Sequence, residues 1–350
     1  MFRAKTVLVL GAGASCEVGL PEGSALLTTI ARLLTFRFEH SSEPTQGDRT
    51  IFYALRERLK EGTDVTRLNE HLRAAVQITQ SAVQAISIDN VIDMLEDANA
   101  EAVGKLGISK AILDAEADSD YFRAIPDRPY ELNIARFPST WYSRLTKILT
   151  EGVRRSNIKH LFDNLTIINF NYDRCLENYL CYSISNYYGI ALAEAQKLVD
   201  QLPMYRPYGR VGKLPWQSGG EPAIEFGRRG VREVNEAALQ LRTFTEQIEE
   251  GETLASMRDA LAAADRIVFL GFAFHRQNMK LLAVNRDEIP EILATAYKVS
   301  GSDRGVITSE LNDAFGLGLL QDNANIELFG KPCVDLFDEY WRTLTATPRE

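Results

Sequence analysis

The chain has 350 residues, 45% apolar and 25% charged, an ordinary globular composition that excludes a fibrous or disordered protein. Its formal net charge is −9 and its basic residues are dispersed, with only short groups such as Arg154-Arg155 and Arg228-Arg229. A direct grip on a nucleic-acid backbone, which needs clustered bases, is therefore not expected, and no stretch approaches the roughly 20 apolar residues of a membrane span.

Thr6 to Leu10 is an unbroken run of β-branched and leucine residues, the pattern of a parallel strand buried on both faces. The run breaks at Gly11, so it reads as a first strand and not as a signal peptide. Gly11 to Pro21 reads as a turn, after which Leu26, Leu27, Ile30, Leu33 and Leu34 recur at helical spacing. Residues 36–164 read as a mainly helical insertion. Phe52, Leu55 and Leu59 mark one of its helices, and Leu68, Leu72 and Val76 a second. Ile88, Val91, Ile92 and Leu95 mark a third, with Ser87 as its cap and Asp89 and Asp93 in or near its first turn. Trp141, Leu145, Ile148 and Leu149 mark another, and a loop is expected around Pro126 to Pro129.

Strand resumes over Leu165 to Asn169, followed by a polar turn through Asp173 and a helix with Leu176, Tyr179 and Leu180. Tyr179, Tyr182, Tyr187 and Tyr188 read as core or interface. Residues 203–232 read as a smaller loop-rich excursion that opens on a strand near Met204, with Gly219 to Gly230 flexible. Further on are expected a helix over Glu233 to Ala264, a buried strand over Arg266 to Gly271 and a helix after Asn278. A last core strand over Thr295 to Val299, a helix from Asp303 and a final helix with Val334, Leu336 and Tyr340 complete the chain. The whole reads as one α/β domain over 1–350: a Rossmann-like doubly wound parallel sheet with a large helical insertion. In such sheets ligands bind beyond the carboxyl ends of the strands, so the turns at Gly11, Asn169 and Gly271 are expected to converge in one crevice.

Glycine lets a backbone pass close to a pyrophosphate, and exposed N–H groups ahead of a helix favour an anion. Gly11, Ala12, Gly13, Ser15, Gly19, Pro21 and Glu22 therefore read as a nucleotide-binding turn, against the plainer reading of a tight turn alone. The ordinary dinucleotide fingerprint has its third glycine where this chain has Cys16. Cys16 lies near a helix N-terminus, where a thiol pKa falls, but no base adjoins it in sequence and its expected role is packing. The four cysteines, Cys16, Cys175, Cys181 and Cys333, form no C-x-x-C pair, so no zinc site is expected and a reducing cytoplasm is.

Gly11-Ala12-Gly13, Ser15, Gly19 and Pro21 resemble the opening motif of the sirtuin superfamily. Ser87-Ile88-Asp89 resembles a short segment of its bacterial immunity members. Asn169-Phe170-Asn171-Tyr172-Asp173 resembles the family's Asn-x-Asp motif, and Phe269 to Phe274 with Asn278 resembles its late glycine motif. The family's four-cysteine zinc module is absent, and Glu22-Gly23-Ser24 stands where a deacylase has Asp-Phe-Arg. The resemblance thus implies the antiphage-defence branch that hydrolyses NAD+ to ADP-ribose and nicotinamide, an abortive-infection activity restrained by assembly. It implies a homo-oligomer or a second subunit: an ATPase, an Argonaute-like protein or a nucleotide-sensing protein. It implies that Asn169, Gly271, Phe272, Phe274 and Asn278 join the first turn in holding NAD+. It also implies that Asn171 orients ribose and water, with Asp173 in support. The plainer reading of Asn171 and Asp173 is an Asx turn with a helix cap.

The family's basic histidine would fall within Tyr205 to Gly212, where this chain offers only Arg206 or Tyr208. Arginine stays protonated, and tyrosine needs a strongly shifted pKa to act as a base. His275 is the substitute by its place after Gly271; His40, His71 and His160 have no such context. Two other readings stay open: a catalytically silent subunit that binds NAD or ADP-ribose, and an ordinary NAD(P) oxidoreductase.

Overall fold

The computed structural model describes residues 1–40, 42–59, 65–119, 134, 137–243, 251–286, 290–316 and 325–347. Six strands form one parallel sheet: β1 (Thr6–Leu10), β2 (Leu165–Asn169), β3 (Met204–Tyr205), β4 (Arg266–Leu270), β5 (Glu291–Thr295) and β6 (Ile326–Phe329). Their order is β3-β2-β1-β4-β5-β6, the doubly wound arrangement, whose direction reverses between β1 and β4. These two strands pair from Thr6 opposite Arg266 to Leu10 opposite Leu270. Gly11 and Gly271 therefore leave the sheet side by side.

In chain order the helices are α1 (Ala12–Ser15), α2 (Gly23–Leu33), α3 (Arg49–Arg58), α4 (Val65–Ser81), α5 (Ile88–Leu95), α6 (Ala98–Asp118), α7 (Trp141–Thr150) and α8 (Cys175–Tyr188). There follow α9 (Leu192–Val199), α10 (Val231–Ala238), α11 (Glu252–Ala262), α12 (Arg276–Leu282), α13 (Gly301–Ala314), α14 (Cys333–Glu339) and α15 (Trp341–Thr345). Successive strand side chains point to opposite faces. Val7, Val9, Ile267, Phe269 and Ile292 enter one core with α2 to α6 and α10 to α13. Leu8, Leu10, Val268, Leu270 and Leu293 enter the other with α7, α8, α9, α14 and α15. Both faces are covered, which is why β1 and β4 read as continuous apolar runs. No helix among the described residues is long and apolar enough to cross a membrane.

The helical insertion is divided between the two faces. Its helices α3 to α6 stack over the first with α2 and α10, while α7 crosses to the second and packs on α8 and α14. One buried ion pair ties the insertion to the sheet. Arg174, ahead of α8, and Glu116, near the end of α6, are both fully buried. Glu116 accepts from the Arg174 backbone N–H and from Nε and Nη2, at 2.5 to 3.1 Å. Arg174 Nη1 donates to the Ile224 carbonyl, which anchors the stretch expected to be flexible at a buried side chain.

Several expectations need correction. The turn from Gly11 to Pro21 contains α1 and a 3₁₀ turn, Cys16–Val18. The helix expected over 233–264 is two helices, α10 and α11, with residues 244–250 outside the described set. The last core strand lies four residues earlier than expected, over Glu291–Thr295. After Thr295 the chain turns, with Val299 N–H on the Ala296 carbonyl and Lys298 at φ 59°. β6 is not legible in the sequence; its four edge residues, of which Phe329 is buried and Glu327 exposed, carry too short an alternation to be seen. Helix α4 buries Ala74, Ala75 and Ile78 and leaves Val76 exposed, because the small alanines let it lie close on α6. The expected loop at Pro126 to Pro129 lies outside the described residues.

Replacing Glu116 with Ala leaves the Arg174 cation buried without its partner and should cost about 3–5 kcal/mol in denaturant unfolding. Glu225→Ala, which removes an exposed partner of Arg228, should cost less than about 1 kcal/mol.

Candidate functional site

The two glycine turns meet beyond the sheet. Gly11 N–H donates to the Leu270 carbonyl and Gly13 N–H to the Gly271 carbonyl, both at 3.0 Å. Gly271 itself is left-handed at φ 55°, and a Cβ there would stand 2.0 Å from the Ala14 nitrogen. A Cβ on Gly11 would stand 2.5 Å from the Gly271 oxygen. So the glycines are required by the approach of one backbone to another, before any ligand is considered. Thr295 Oγ1 accepts the Gly271 N–H at 2.7 Å, which fixes the second turn to the end of β5.

The polar turn after β2 locks onto the first glycine turn. Asn169 Oδ1 accepts the Asn171 N–H at 2.9 Å. Asn171 Nδ2 donates to the Gly11 carbonyl at 2.9 Å and to Ser15 Oγ at 3.1 Å. Ser15 Oγ donates in turn to Asp173 Oδ2 at 2.8 Å, and Asp173 Oδ1 accepts the Cys175 N–H at 3.0 Å. Ser15, Asn169, Asn171 and Asp173 are all buried. Burial pushes the Asp173 carboxyl up, against the Ser15 hydroxyl, the Arg206 charge and the Cys175 N–H. The Asx turn is made by Asn169 and not by Asn171, and Asp173 accepts from the first residue of α8 without being its cap, which is Arg174 and has no side-chain cap bond, so the plainer reading holds only in the turn itself. The two donors of Asn171 are also accounted for, whereas its Oδ1 accepts from no donor among the described residues.

The loop after β3 closes behind this turn. Arg206 Nη1 donates to the Asn171 carbonyl at 2.7 Å, and Nη2 to the buried Glu177 at 2.6 Å. Arg206 thus holds Asn171 through the backbone. Tyr208 donates its hydroxyl proton to Asn278 Oδ1 at 2.6 Å, at the start of α12. Burial and the nearby Asp89 both raise the Tyr208 pKa, the opposite of what a tyrosine base needs. Phe272 and Phe274 are buried in a cluster with Phe170, Phe269 and Tyr208, and Phe274 is left-handed at φ 53°. Both rings pack the floor beneath the turns.

In the first turn, Ala12 and Gly19 are exposed, Pro21 is half-buried, and Glu22 is the exposed residue preceding α2. Cys16 departs from expectation. Burial raises its thiol pKa, with Glu22, Glu17 and Asp173 adding to the effect. His275 is exposed at the head of α12, and its ring makes no hydrogen bond among the described residues. Among these residues no group of three or more His, Cys, Asp or Glu is placed to hold a metal ion.

Two residues were missed. Glu17 accepts the Trp141 N–H at 2.8 Å and the Val334 N–H at 2.9 Å, bracing the starts of α7 and α14 against the turn. Nothing near Glu17 in sequence announces partners so distant. Asp89 reads in the sequence as a helix-start acid and as part of the Ser87-Ile88-Asp89 resemblance, with no role at the site, yet its Oδ1 lies 3.4 Å from the Tyr172 hydroxyl. A cleft of about 920 Å3 lies beyond the β3 edge, lined by Lys105, Glu177, Asp200, Arg206 and Arg210 among others, but by neither glycine turn. Six of its charged side chains pair with one another, Arg206 with Glu177, Arg210 with Glu221 and Lys105 with Glu101. The candidate site is therefore the meeting of the turns. No protein-family model matches the chain, and no curated protein matches it significantly in sequence.

Gly271→Ala should unfold the protein or destabilise it by more than about 3 kcal/mol, since it combines positive-φ strain with a backbone clash. Gly23→Ala, at the open start of α2, should be neutral or stabilising by up to about 1 kcal/mol. Thermal unfolding of the two variants separates these outcomes.

Proposed function

We propose that this protein is a sirtuin-like NAD+ hydrolase that releases nicotinamide and ADP-ribose in the cytoplasm. We take it to act as an effector of antiphage defence, held in check by assembly with itself or with a second subunit. The observation that carries this reading is the state of Asn171. Its amide nitrogen is fixed by the first glycine turn and by Ser15, its carbonyl is held by Arg206, and its Oδ1 is left over. An amide oxygen fixed in this way, beyond the carboxyl ends of β1 and β2, can accept from a ribose hydroxyl or a water. Holding the reacting groups in place in this manner is worth several orders of magnitude in rate. The NAD+ pyrophosphate would lie over the exposed side of Ala12 to Gly19. Asp173 supports the site by orienting Ser15, and no zinc is required.

A second reading has its own observation. Tyr208 stands where the resembled family has its histidine, and it is both raised in pKa and engaged with Asn278. That favours a subunit that binds NAD+ or ADP-ribose without turnover.

Nicotinamide release from NAD+ decides between them, measured for the protein alone and with candidate partner subunits. Wild-type protein should release nicotinamide, and Asn171→Ala should lose at least about 100-fold in rate while remaining folded. NAD+ binding with no release in any assembly establishes the silent subunit instead.

A further inference from the structure

Asp89 lies in the first turn of α5 but does not cap it. Ser87 already accepts the Asn90 N–H there, at 3.2 Å. The Asp89 carboxyl points instead to the loops beyond the sheet. The hydroxyl of Tyr172, the residue after Asn171, reaches Asp89 Oδ1 at 3.4 Å and the Arg242 carbonyl at 3.5 Å. Tyr208 is near enough to feel the Asp89 charge, and it sits in the same loop as Arg206, which holds Asn171. Asp89 is half-buried, so water can reach it. One acid from the helical insertion thus meets the turn after β2 and the loop after β3.

We propose that Asp89 is the general base of NAD+ hydrolysis, taking the proton of the attacking water where this chain lacks a histidine; this rests on the hydrolase reading above. The water oxygen bonds to C1′ of the nicotinamide ribose as the C1′–N1 bond breaks. The electron pair of that bond passes to the ring nitrogen, which loses its positive charge. The water proton passes to the Asp89 carboxylate and then to solvent, leaving ADP-ribose, neutral nicotinamide and one proton.

The surroundings suit the task. Burial pushes the Asp89 carboxyl up to about 6, opposed by its own backbone N–H and by the Tyr172 hydroxyl. A carboxyl of that strength is ionised at neutral pH yet basic enough to take a proton. Helices α2, α4 and α6 pack on α5, and none supplies a charged group to this shift. The titratable groups facing Asp89 are Tyr172 and Tyr208.

The test is the pH profile of kcat for nicotinamide release. A base must be deprotonated, so wild-type kcat should fall as pH drops through about 6. Asp89→Asn should lose roughly 10²- to 10⁴-fold in kcat, with KM and melting temperature unchanged, and should lack that acid limb. Asp89→Glu should restore part of the rate. Tyr172→Phe keeps the base but removes a donor that stabilises its charge, so the acid limb should move to higher pH. Wild-type kcat in Asp89→Asn, an acid limb that survives in it, or a limb unmoved in Tyr172→Phe overturns the assignment. If Asn171→Ala is inactive while Asp89→Asn is active, only the base is wrong. If the wild-type protein releases no nicotinamide in any assembly, the hydrolase reading falls and takes the base with it.

Discussion

Two stretches of bare backbone touch where β1 and β4 end, and the rest of the structure is arranged around that touch. Gly13 donates to Gly271 across a gap with no room for a side chain on either partner. Everything else at this end of the sheet takes its position from the first turn. Trp141 donates its indole N–H to the Ala14 carbonyl at 2.6 Å. Glu17 braces α7 and α14, and Asn171 binds the Gly11 carbonyl. Helices of the second face and the turn after β2 are thus referred to the same seven-residue stretch. A displacement of Gly11 to Glu17 would disturb all of them together.

The polar groups gathered there form a network in which most members serve two partners. Ser15 accepts from Asn171 and donates to Asp173, and Asp173 also accepts from Cys175. In a buried setting such chains are strong when complete and costly when one member is lost. The pKa of Asp173 shows the balance directly. Burial raises it, while three favourable partners oppose the rise. Rigidity in the network gives Asn171 and its free oxygen a defined orientation.

How much of this was legible in the sequence depended on the range of the signal. Val7-Leu8-Val9-Leu10 and Ile267-Val268-Phe269-Leu270 announce buried strands because both faces are covered. Ser87 announces a helix start because a cap acts within three residues. The convergence of the turns was expected from a doubly wound sheet, whose ligand turns follow the carboxyl ends of its strands. What stayed hidden was set by distant partners. Thr295, the last residue of β5, accepts the Gly271 N–H, and no local pattern says so. The glycines of the first turn suggested a ligand, whereas Gly271 is already a sufficient reason for two of them. Nothing local showed what Glu17 and Asp89 hold, since their partners lie at Trp141, Val334 and Tyr172. The direction at Cys16 was hidden because its largest cause, burial, and the approach of Asp173 arise only on folding.

The sequence distance across the glycine contact has a kinetic consequence. Gly13 meets its partner only when Gly271 is available, and Glu17 meets Val334 still later. Contacts between residues so far apart are slow to form, because a long loop must close before they reward it. On the ribosome, β1 emerges first but must wait unpaired for β2 and then for β4. The helices α3 to α6 can gather meanwhile through nearby contacts. The glycine contact is therefore among the last to form, and a chain stopped short of β4 lacks the bond from Gly13 to Gly271.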